Sequence, residues 1–113
     1  MAPKKNPLSL NPLQLKTLTL MQELARSPDH AAPLADGSVR VMALPHPHGD
    51  HFHVGAAVVL ARDATGLGNP AVWTALERKG LIKPELPDGV VLTPEGLAYD
   101  TGLADQILHR GHH

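Results

Sequence analysis

One stretch of this chain has the makings of a long helix, and proline bounds it at both ends. Asn11-Pro12-Leu13-Gln14 opens it. Asn11 can cap the first turn, Pro12 suits the first helical position, and the Gln14 side chain can return to the cap backbone. Leu13, Thr17, Leu20 and Leu24 then recur four, three and four residues apart, with Leu10, Met21 and Ala25 beside them. That pattern makes one apolar stripe on a helix that Ser27-Pro28 ends. Glycine and proline break the rest into shorter pieces. A chain of 113 residues is the size of one domain, so these pieces must share the core that the first helix faces.

Residues 1–10, with Lys4, Lys5 and Pro7, read as a flexible N-terminal arm, residues 11–109 as the domain, and residues 110–113 as a frayed tail. Residues 28–37 read as a loop ending in the turn Asp36-Gly37. Ser38 to Leu44 reads as a strand with Val39 and Val41 on one face. Between residues 55 and 64, strand and short helix both stay open. Asn69-Pro70 starts a second helix that carries Val72 and Leu76 and closes at Lys79-Gly80. Leu81-Ile82 and Val90-Val91-Leu92, separated by Pro84, Pro87 and Asp88-Gly89, read as a hairpin. Thr93-Pro94 begins a last helix with the stripe Leu97, Thr101, Ala104 and Leu108. The expected core is Leu13, Leu20, Leu24, Val72, Leu76, Ile82, Leu92, Leu97 and Leu108.

The run from Gly66 to Ile82, through Asn69-Pro70-Ala71-Val72-Trp73 and Arg78-Lys79-Gly80-Leu81-Ile82, resembles the recognition helix and following strand of winged helix-turn-helix proteins. Val90-Val91-Leu92-Thr93-Pro94-Glu95-Gly96 looks like the end of their wing, as in MarR- or PadR-like regulators. The resemblance implies a small α+β winged-helix-like domain, to which this chain adds a histidine-rich β-hairpin. In DNA-binding members the recognition helix meets base edges and phosphates. Carried onto this sequence, Asn69 and Thr74 would face a groove, and Arg78, Lys79 and Lys83 would meet phosphates. Positive charge reaches that helix only at its end, and Trp73 reads as a half-buried core aromatic.

Eight histidines stand in the chain, four of them between His46 and His53. If Gly49-Asp50 is a two-residue turn, 48 lies opposite 51, 47 opposite 52 and 46 opposite 53. His46, His48, His51 and His53 then share a face, with Phe52 and Val54 on the other. Imidazoles so placed suit a divalent zinc, nickel or copper ion, with Asp50 as a further ligand or an outer orienting group. Protons would compete with that ion as pH drops through about 6.5. His46-x-His48-x-Asp50-His51 also resembles the H-x-H-x-D-H signature of the metallo-β-lactamase hydrolases, which implies those four residues as zinc ligands. That fold needs a much longer chain, and no downstream ligand set follows. A solvated cluster with no metal is the third reading. His30, His109, His112 and His113 read as surface or tail residues.

Ten Lys and Arg against eleven Asp and Glu give a formal charge of −1. Such a balance excludes a protein held on nucleic acid by bulk charge, though not one with a local basic patch. Cysteine is absent, which excludes disulfides, thiolate metal sites and cysteine nucleophiles. No run approaches a membrane span and no secretory h-region opens the chain, so a cytoplasmic protein without a membrane partner is expected. The chain reads as a binding module rather than an enzyme, acting through a protein partner or self-association and responsive to metal through its histidines. Recognition of double-stranded DNA is the second reading and a metal-dependent hydrolase the third.

Overall fold

The computed structural model describes residues 6–110 apart from 43, 46, 56 and 86–88, and only the backbone of Pro47, His48 and Arg110. Helix α1 (Pro12–Ala25) carries the expected capping box: Asn11 Oδ1 accepts from Gln14 N at 2.8 Å, and Asn11 N donates to Gln14 Oε1 at 3.0 Å. Its buried set is wider than a stripe and takes in every position from Thr17 to Met21. Two threonines are tolerated there because each hydroxyl donates to the carbonyl four residues back, Thr17 to Leu13 and Thr19 to Leu15, both at 2.8 Å.

Among the described residues, β1 (Ala31–Pro33) and β2 (Val39–Val41) form a hairpin. β3 (Pro47–His48), β4 (His51–Val54) and β5 (Ala57–Leu60) follow as a meander. Helix α2 (Pro70–Arg78) leads into β6 (Ile82–Glu85) and β7 (Gly89–Leu92), and α3 (Pro94–Ala98), α4 (Ala104–Ile107) and β8 (His109–Arg110) complete the order. The strands make two antiparallel sheets, ordered β1-β2-β7-β6 and β3-β4-β5-β8. The fold is therefore α+β. Helix α1 packs against β1, β2 and β7 of the first sheet, β4 of the second, α2 and a 3-10 turn at Thr65–Gly68, which together explain its nearly all-round burial. Leu18, Leu20, Met21 and Leu24 meet Val41, Val90, Leu92 and Ile82 on one side and Val54 and Val59 on the other in a single core.

Four expectations change. Leu20, Leu24, Val72, Leu76, Ile82, Leu92 and Leu108 are buried, whereas Leu13 and Leu97 are half-buried. The loop at 28–37 contains β1, paired with β2 through Ala31↔Val41 and Pro33↔Val39. Proline is admitted because β1 is an edge strand. The last helix breaks between Ala98 and Ala104: Gly102 turns at φ +71, its N–H donating to Asp100 Oδ1 at 3.0 Å. Residues 6–10 of the expected arm lie against the domain. Asn6 bonds both backbone groups of Leu10, Leu8 N donates to the Tyr99 hydroxyl, and Leu10 is buried. The open stretch 55–64 resolves into β5 followed by a 3-10 turn (Ala61–Asp63). Among the described residues no helix is long and apolar enough to cross a membrane.

Candidate functional site

Two features carry chemistry: a groove beside α2 and the histidine hairpin. Helix α2 starts where Asn69 Oδ1 accepts from Ala71 N at 3.0 Å, with Pro70 in the first turn. It ends at Gly80, whose φ of +77 turns the chain into β6. Val72 and Leu76 hold it to the core, leaving Pro70, Thr74 and Glu77 exposed. These three, with Trp73, line a groove of about 430 Å³ closed by Leu44 and Leu67 on one side and by Pro84, Glu85 and Gly89 of the β6–β7 hairpin on the other. Trp73 Nε1 donates to the Leu67 carbonyl at 3.1 Å, so its polar end is satisfied beside the helix start and its ring is half-buried.

The groove's ionisable groups are carboxylates, one of them neutralised by an arginine. Among the described lining residues the ionisable ones are Glu77 and Glu85, with no Lys, Arg or His. Glu85 is held in a two-pronged pair: Arg40 Nε reaches Oε1 at 2.8 Å and the guanidinium NH2 group reaches Oε2 at 3.2 Å. That bonding keeps the Glu85 carboxyl below its ordinary range and raises Arg40. Of the residues considered for DNA contact, Asn69 and Thr74 line the groove, while Arg78, Lys79 and Lys83 do not. Asn69 is occupied with its cap, and Lys79 Nζ donates to the Leu8 carbonyl at 3.0 Å. Arg78, Lys79 and Lys83 are all exposed. Sequence reasoning did not find Glu77, Glu85, Leu44 or Arg40. Arg40 and Glu85 are 45 positions apart and meet only through the order β2-β7-β6, so no local pattern marks them.

The histidine hairpin has the register expected from its turn: Pro47 pairs with Phe52 and His48 with His51, around Gly49 at φ +68. Val54 is fully buried and Phe52 packs on the core, while His53 is exposed and His51 half-exposed. Two-residue alternation puts the His51 and His53 rings together, with centroids 5.1 Å apart and planes at 82°. Asp50 Oδ1 lies 3.5 Å from His51 Nδ1, on a carboxylate that is 97 % exposed. His46 lies outside the described residues, and His48 is fixed only as the ladder position opposite His51. His109, read from sequence as a surface residue, is in register with Val58, which is in register with His53, so it joins the same row two strands away. Among the described residues no three His, Asp or Glu side chains already converge as a metal-ligand set.

No family model, curated protein or solved structure matches the chain, so its function is read from its own geometry.

Proposed function

We propose that this chain is a non-enzymatic binding module on a winged-helix-like scaffold, and that its groove between α2 and the β6–β7 hairpin receives a segment of a protein partner. The scaffold reading is supported by the strand order β2-β7-β6, with α1 before β2 and α2 running directly into β6. The groove's chemistry carries the functional part: Leu44, Leu67, Pro70 and Trp73 offer apolar surface, and Glu77 offers a carboxylate, the Glu85 carboxylate being paired with Arg40. A phosphate backbone meets the wrong sign there. A peptide segment with an aliphatic or aromatic anchor beside Lys or Arg meets the right one.

Trp73 is the single tryptophan, so its emission reports on the groove. Titration with a cationic amphipathic peptide should shift that emission to the blue, and an acidic peptide with the same apolar residues should not. Glu77→Lys should weaken the cationic peptide about tenfold through the reversed charge. If the peptides give no response and duplex DNA binds at about 50 mM salt with steep salt dependence, the DNA reading replaces this one. Asn69 and Thr74 would then meet bases, with Arg78, Lys79 and Lys83 on phosphates.

A further inference from the structure

We infer that the groove beside α2 selects an arginine of its partner segment, held between the Trp73 ring and the Glu77 carboxylate; this rests on the partner-segment reading above. Helix α2 presents two faces. Val72 and Leu76 fix one to the core. Pro70, Trp73, Thr74 and Glu77, at the i, i+3, i+4 and i+7 spacing of a single face, line the groove. Trp73 is half-buried, packs partly on the core, and walls the groove with the rest of its ring. Its one hydrogen-bond donor is already used, since Nε1 donates to the Leu67 carbonyl at 3.1 Å. Ring surface, held in place by that bond, is what it offers a ligand.

Glu77 is the second support. It is exposed, and among the described residues no hydrogen bond or ion pair engages its carboxylate. The groove's other carboxylate, Glu85, is clasped by Arg40 on both oxygens. One helical turn separates Trp73 from Glu77, so their Cβ atoms stand about 5–6 Å apart on the groove face. The third support is the match of chemistry. A guanidinium is flat and weakly hydrated, so it can lie on an aromatic ring while its edge donates to a carboxylate; an ammonium does not combine the two. The stem of such an arginine has Leu67 and Pro70 to run along. Arg40 on Glu85, at the opposite wall, shows this fold holding an arginine against a carboxylate in the same two-pronged way.

The test is calorimetric titration of the full chain with end-blocked Gly-Leu-Arg-Leu-Gly and with its Lys and citrulline counterparts, at about 50 mM salt to limit screening. The Arg peptide should bind about tenfold more tightly than either counterpart, citrulline keeping the shape without the charge. Glu77→Gln should bring the Arg peptide within about twofold of the citrulline peptide. Trp73→Leu should bring it within about twofold of the Lys peptide, and Trp73→Phe, which keeps a ring, should lose part of the preference. Far-UV circular dichroism confirms that each variant folds, and Trp73→Phe serves alone if Trp73→Leu does not. Equal affinity for the Arg peptide and either counterpart overturns the arginine selection and leaves the partner-segment reading standing. So does an Arg preference that survives Glu77→Gln or Trp73→Leu undiminished. Absence of heat and of any Trp73 emission change with all these peptides at millimolar concentration overturns both.

Discussion

Gly96 in α3 shows how tightly single residues are specified. A Cβ there would overlap the Leu81 carbonyl oxygen and crowd the Leu81 backbone, and backbone cannot swing away as a side-chain tip can. Gly96→Ala should therefore cost about 3 kcal/mol, read from urea midpoints at unchanged m-value. Leu76, fully buried, should cost about 2–5 kcal/mol on truncation to Ala. Arg40–Glu85 makes a smaller, pH-dependent contribution. Arg40's hydrogen bond depresses the Glu85 carboxyl from its ordinary 4.5. Its stabilisation is thus present above that value and lost as pH falls through the lower folded value. Wild type should melt above Glu85→Gln at about pH 7 and converge with it only once pH has fallen below the depressed Glu85 value. The pair is about two-fifths exposed on each side, so added salt should shrink the difference.

At the scale of elements, turns and caps decide where each piece begins and ends. The Asn11–Gln14 box satisfies two backbone groups at the start of α1. Asn11→Ala should cost about 1 kcal/mol, and Asn11→Ser or Asn11→Asp should recover most of it. Gly80 stands at φ +77 with nothing within 4 Å of a built Cβ. Gly80→Ala therefore meets backbone strain without a clash, and its cost should be about 1–2 kcal/mol. The histidine hairpin follows the same logic: a two-residue turn with Gly49 at φ +68 fixes the pairing, and the pairing decides which face His51 and His53 occupy.

Across the whole molecule, α1 is the shared wall of both sheets. Thr19 Oγ1 meets Thr101 Oγ1 at 2.6 Å, and Gln22 Nε2 donates to the Gly96 and Tyr99 carbonyls at 2.8 Å each, tying the helix to α3 and the segment that follows it. Gln22→Ala leaves two carbonyls without that donor and should cost about 1–3 kcal/mol. Because neither sheet can keep its core without α1, the sheets should unfold together. Trp73 emission beside the first sheet and far-UV dichroism of the whole chain should trace one urea transition. A separate, earlier loss of the second sheet would show two independent cores.

Much of this architecture is legible along the chain: the α1 cap, the Asn69-Pro70 start of α2, the Gly80 stop, the pairing of His48 with His51 and the β6–β7 hairpin. Each rests on hydrogen bonds or positive-φ turns between residues close in sequence, so local residue identity is enough to determine it. Other features belong to tertiary structure. Thr17 to Met21 are all buried because two sheets, α2, the 3-10 turn at Gly66 and the Thr101 segment all close on one helix, which a single apolar stripe does not reveal. The 98–104 break rests on Thr101 reaching Thr19 and on a turn at Gly102, against a helical spacing that runs on through both. The groove depends on sheet order: β7 between β2 and β6 brings Arg40 to Glu85 and sets Pro84 and Glu85 across from Trp73 and Glu77. The sequence marks the histidines as a cluster, but strand pairing decides that His109 lies in line with His53. Pairing between distant strands depends on how the whole core closes, and no window of the sequence contains that information.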